Sequence, residues 1–179
     1  VTQCLPWQAP VGGSDCDQCD KDGRECSEYR CKSLGTACEL INVGTSQQSC
    51  SWKSPNDVSP PIIRPWNEAL TPGHHVQSTG AGYAIQPDLP YWKKFTFGIE
   101  TDEVAQCKWD TVHTANYQEM SHFFGTNLFV QQFNMTLSLP GGQDYTYYVR
   151  CNDVNGNANV QEYTIQFSTT DDPDLTPPV

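Results

Sequence analysis

Trp92-Lys93-Lys94-Phe95-Thr96-Phe97-Gly98-Ile99-Glu100-Thr101 decides the fold class. Phe95, Phe97 and Ile99 recur at every second position, with Lys94, Thr96 and Glu100 facing the other way. Successive side chains of an extended chain point to opposite faces, so this period marks a half-buried strand. The period returns downstream. Ala105 to Trp109 sets Cys107 and Trp109 on one face, and 130–139 turns Phe133, Met135, Leu137 and Leu139 inward. Tyr145, Tyr147, Val149 and Cys151 alternate next, then Tyr163, Ile165 and Phe167 within 160–167. Asn155-Gly156 between these last two runs is a hairpin signal. Only 113–127 breaks the pattern: Tyr117, Met120 and Phe124 stand at helical spacing and predict a short helix or structured loop.

The chain is 179 residues long, which suits one domain plus a smaller module. Mean hydropathy is low at −0.57, yet aromatics make up 11%, too many for a disordered chain. The expected core is small and rich in rings. The net charge of −11 repels nucleic acid and anionic lipid. No stretch approaches the roughly 18–20 apolar residues of a membrane span. The chain opens on Val1 without a signal peptide and reads as a mature or excised chain.

Nine cysteines point to an oxidised, secreted protein. Seven of them, Cys4, Cys16, Cys19, Cys26, Cys31, Cys38 and Cys50, fall in the first 55 residues. That segment has few β-branched runs and depends on cross-links for its fold. The pairing of Cys16, Cys19, Cys26, Cys31, Cys38 and Cys50 stays open at this point. Nine is odd, so one thiol is free or bonded outside the chain, and isolated Cys4 is the candidate. The 25–40 stretch reads as containing a short helix with Tyr29 and Leu34 inward.

Asp57-Val58-Ser59-Pro60-Pro61-Ile62 recurs as Asp174-Leu175-Thr176-Pro177-Pro178-Val179, 117 residues further on. Paired prolines impose an extended backbone and withhold donors, as a linker or the first residues of an edge strand require. Each copy reads as a domain opening. The division expected is 1–56, a Cys-rich stapled module; 57–173, a β-sandwich; and 174–179, a linker or donor-type extended tail.

Three pieces of the β-region carry a resemblance. They are Thr101-Asp102-Glu103-Val104-Ala105-Gln106-Cys107-Lys108-Trp109, Leu139-Pro140-Gly141-Gly142-Gln143-Asp144-Tyr145, and Tyr148-Val149-Arg150-Cys151-Asn152-Asp153-Val154-Asn155-Gly156-Asn157. Together they span about 93–169, and they resemble fibronectin type III and immunoglobulin-like repeats of prokaryotic, chiefly archaeal, surface proteins. The Cys26–Cys38 segment resembles a module found beside such repeats. The resemblance implies an all-β fold, an immunoglobulin-like or fibronectin-type β-sandwich behind a small disulfide-rich module. It also implies a Tyr145 hydroxyl that returns to the backbone at the Leu-Pro-Gly turn, and a Cys107–Cys151 bridge worth roughly 4 kcal/mol by chain entropy. These repeats serve as spacers, stalks or adhesive parts, and the resemblance implies no catalytic residue.

Candidate chemistry is sparse. Asp15, Asp17, Asp20 and Asp22 surround Cys16 and Cys19 on a loop ending at Gly23, a composition suited to calcium, which takes six to eight oxygens. The register is not that of an EF-hand, and the alternative is a solvated acidic loop. Calcium is the one cofactor weighed. Cys16, Cys19, Cys26 and Cys31 have the spacing of a four-thiolate zinc site, but the acidic, Cys-rich context favours disulfides. His74, His75, His113 and His122 contain no helical i,i+4 pair and read as surface residues. Asn134-Met135-Thr136 is an N-glycosylation sequon, and the strand alternation turns Asn134 to solvent. Trp7, Trp52, Trp66, Trp92 and Trp109 offer sugar-stacking surfaces, with Trp109 assigned to the core and Trp66 and Trp92 to core lids.

The expectation is a non-catalytic structural subunit of an extracellular filament or surface assembly. Its partners would be copies of itself or neighbouring surface-protein subunits. An adhesive, glycan-binding stalk and the accessory domain of a secreted hydrolase are the alternatives.

Overall fold

A computed structural model describes residues 6–171. Cys4 and the Asp174–Val179 copy of the repeat lie outside the described residues. The chain divides into two compact units. One holds residues up to Ser59 with the Val154–Gly156 tip, and the other runs from Pro60 to Asp153 and onward from Asn157.

The first unit is built around sulfur. Helix α1 (Glu28–Leu34) starts where Ser27 Oγ accepts the amide of Arg30 at 3.3 Å. Glu28 in the first turn and Lys32 in the last both suit the helix dipole. Strands β1 (Cys38–Ile41) and β2 (Ser49–Trp52) form an antiparallel hairpin. Cys16 is bonded to Cys38, Cys19 to Cys26 and Cys31 to Cys50. These six half-cystines form the buried cluster, with Leu34 and Leu40 packed against it. Tyr29 was expected inward and is 77% exposed. A seven-residue helix presents too narrow a face to bury it, and the sulfur core leaves no apolar surface for its ring.

The second unit holds eight strands in one hydrogen-bonded sheet. They are β3 (Ile63–Pro65), β4 (His75–Thr79), β5 (Gly82–Gln86), β6 (Phe95–Asp110), β7 (His122–Phe123), β8 (Val130–Leu137), β9 (Asp144–Asp153) and β10 (Tyr163–Ser168). The path β3-β6-β9-β10-β5-β4 curls the sheet towards a barrel, with β7 and β8 added along β6. The alternating runs read at 92–101 and 105–109 fall in one strand of 16 residues, Phe95–Asp110. An irregularity between Glu100 and Ala105 shifts the register, so the first half of β6 pairs with β8 and the second with β9. Bulges bend strands in this way and let one strand serve two walls of a core.

That core contains Phe95, Phe97, Ile99, Phe133, Tyr147, Val149, Ile165 and Phe167. Phe97 meets Phe124 edge-on and tilts against Phe167. Cys107 and Cys151, directly opposite in the β6–β9 register, are joined. Strand β5 runs parallel to β10, and Gly82 permits that approach because a Cβ there would collide with the Thr164 carbonyl. Tyr117, Met120 and Phe124 are buried without forming an α-helix. A 3-10 turn at Tyr117–Glu119 and the short β7 carry them instead, with Asn116 capping the Glu119 amide. Trp92, expected as a core lid, is 62% exposed because Trp92 precedes β6 at a positive φ.

Candidate functional site

The near-barrel stays open between β3 and β4. Strand β3 pairs with β6 alone and β4 with β5 alone, so among the described residues each has a free edge. Between them lies a groove of about 740 Å³ lined by Ile62, Ile63, Val76, Thr79, Tyr83 and Tyr163. Pro60, Pro61 and Pro65 contribute to one wall and bring no amide donors. Ile62 is 53% exposed, and its amide donates to Asp102 Oδ1 at 2.7 Å. Asn159 Nδ2 holds the Pro61 carbonyl at 2.7 Å. Thr79 Oγ1 is buried with no hydrogen-bond partner among the described residues. The Tyr83 hydroxyl donates to the Gly98 carbonyl at 2.9 Å, and burial raises its pKa strongly. Burial pushes Tyr163 up to about 12. These two phenols are neutral across physiological pH, while Arg64 and Glu162 bring charge to the same lining.

One end of the groove is pinned by a buried charge. Arg150 donates to the carbonyls of Asn159, Val160 and Thr114, and its Nη2 lies 3.5 Å from Glu162 Oε1. Glu162 accepts the Thr114 amide at 2.8 Å and His113 Nδ1 at 2.6 Å. Burial alone would raise the Glu162 pKa. The Thr114 amide, the His113 ring and the Arg150 charge outweigh it and hold the carboxyl below its ordinary range.

The residues singled out from sequence fare differently. Cys16, Cys19, Cys26 and Cys31 are all in disulfides, so the four-thiolate arrangement does not form. The acidic loop does not converge either. Asp17 pairs with Lys21 at 2.6 Å and Asp22 with Arg30 at 2.7 Å, and no three of Asp15, Asp17, Asp20 and Asp22 come together as a ligand group. Asp22 is held below its usual pKa, chiefly by the Arg30 hydrogen bond. Lys21 and Arg30 thus take up two of the four carboxylates of this loop. Asn134 is exposed on β8. The Tyr145 hydroxyl donates to the Pro140 carbonyl at 3.4 Å.

Sequence reasoning missed the approach of Glu103 and Asp153, whose carboxylates come within 4.8 Å. Asp153 is 1% exposed and accepts the Asn157 amide at 2.7 Å and its Nδ2 at 2.9 Å. The available signal was spacing: Asp and Asn four residues apart across an Asn-Gly turn form a local side-chain-to-backbone bond.

No protein-family model, no curated protein and no solved structure matches this chain.

Proposed function

We propose that this protein is a non-catalytic structural subunit of an extracellular assembly. In this reading the second unit is an immunoglobulin-like or fibronectin-type module whose open seam accepts an extended segment of a neighbouring copy. The unpaired β3–β4 edges carry it, since free edges are templates for strand addition. The groove between them supports it with the apolar surfaces of Ile62, Ile63 and Val76, as does the unpartnered Thr79 hydroxyl. The positions of groove and exit add a direction. Tyr163, at the start of β10, lines the groove, whereas Thr170 leaves the sheet beside Leu89 and Gly142, past the other end of that strand. The six residues of β10 alone span roughly 17 Å. Insertion of one copy's segment into the groove of the next makes a head-to-tail contact, which gives a filament where its rotation does not close a ring. The disulfides suit a fibre outside the cell.

Size-exclusion with light scattering and electron microscopy of the native material test the reading. Concentration-dependent oligomers or fibres are expected, and Val76→Lys, which puts a charge into the groove, should reduce them to monomer. A wild-type chain that stays monomeric at high concentration defeats the proposal.

A further inference from the structure

We infer that Asn134 is an N-glycosylation site and that the first sugar of its glycan rests in the groove beside it. The sequon Asn134-Met135-Thr136 lies within β8, where Phe133 and Met135 are buried and Asn134 and Thr136 face outward. The residue paired with Asn134 across the ladder is Gly98, which has no side chain of its own and over which Trp66 and Ala69 pack. Asn134 makes no side-chain hydrogen bond among the described residues. Thr136 Oγ1 lies 2.7 Å from Thr96 Oγ1, which fixes the sequon hydroxyl on the same outward face.

The surroundings suit a pyranose. Asn134 and Thr136 line a shallow groove of about 720 Å³ with Trp109, His122, Phe123 and Gly125. Trp109 is held from within by Tyr147, its centroid 4.4 Å away, and by His122 at 4.9 Å. Phe123 is 42% exposed. Gly125 approaches the Asn134 backbone so closely that a Cβ there would collide with its carbonyl. The groove thus joins an apolar aromatic wall to hydroxyl and amide groups, and a sugar has both a C–H face and a polar rim. The four disulfides belong to a chain that folds in an oxidising compartment, where glycan transfer also takes place.

The donor is an oligosaccharide carried on a polyisoprenyl phosphate or pyrophosphate, presented by a membrane transferase. Asn134 Nδ2 forms a bond to the anomeric carbon. The bond from that carbon to the phosphate oxygen breaks, the phosphate leaves with the electron pair, and one amide proton passes to a base of the transferase. Nothing is oxidised or reduced. The inference is independent of strand addition at the β3–β4 seam.

The full chain, exported from a glycosylating host, is weighed intact before and after peptide N-glycosidase. The expected result is a mass above that of the polypeptide that disappears with the enzyme, with Asn134→Gln and with Thr136→Ala, and persists with Thr136→Ser. A polypeptide of unmodified mass, from a host that modifies a control sequon, overturns the site. The groove is read by hydrogen exchange at the His122 and Phe123 amides. Faster exchange after enzymatic removal supports the docked sugar, and exchange unchanged by removal overturns it.

Discussion

At the residue scale, the side chains that matter most are those whose charge is buried and answered locally. Glu162 contributes stability through its lowered pKa, and the sign follows from linkage. The folded carboxyl binds its proton less readily than the unfolded one. Its contribution is therefore present above the ordinary value of 4.5 and is lost as pH falls through the lowered folded value. Glu162→Gln should flatten the acid limb of a stability–pH curve from urea denaturation, and should cost about 1–3 kcal/mol near neutrality by stranding the buried Arg150. Asp110 behaves likewise. Burial raises its pKa, but hydrogen bonds from Ser121, Thr111 and Val112 lower it further. Asp153→Ala should cost about 2–3 kcal/mol in the same assay, since it leaves the Asn157 amide unpaired beside a buried site. Tyr83→Phe removes one buried hydrogen bond and should cost about 1 kcal/mol with the fold retained.

At the scale of elements, the alternating runs were legible because each strand buries one face. Phe95, Phe97 and Ile99 announce their own partners by period alone. The fusion of two runs into β6 was not legible. Asp102, Glu103 and Val104 interrupt the period, and only the pairing of Ala105 with both Val130 and Asp153 shows that the backbone continues through them. The spacing of Tyr117, Met120 and Phe124 predicted a short helix or structured loop, and the structure meets it with a capped 3-10 turn followed by a two-residue strand. The seam was legible on one side alone: Pro60-Pro61 suits the start of an edge strand, while no local pattern in 75–79 encodes a missing neighbour. Adding charge to the β4 side of that seam, as Val76→Lys does, should leave the near-ultraviolet circular dichroism of the aromatic core largely intact while removing self-association.

At the scale of the whole molecule, the two units rest on different physics. The first has half-cystines where hydrocarbon would normally sit, and their loops of 22, 7 and 19 residues each stabilise it by roughly 2–3.5 kcal/mol by chain entropy. The second has a ring-rich core of its own and one bridge. Graded reduction of the full chain, followed by hydrogen exchange, should strip protection from 16–52 first and leave β6, β9 and β10 protected. Simultaneous loss in both units would show that the second depends on thiol chemistry as heavily as the first. Function was the least legible level. Composition spoke for an oxidising environment, but two carboxylates of the acidic loop that drew attention pair with Lys21 and Arg30, while Glu103 and Asp153 meet from 50 positions apart.

The parallel pairing of β5 with β10 has a consequence for how the protein comes into being. Gly82 finds its partner at Thr164, so β5 waits for a strand 82 residues further along the chain. Synthesis proceeds at about 5–20 residues per second, which leaves β4 and β5 without their neighbour for several seconds of elongation. Contacts so distant along the chain form slowly. Until Thr164 is made, the β5 edge that will meet β10 stays open, and the sheet closes on that side only once the later strand arrives.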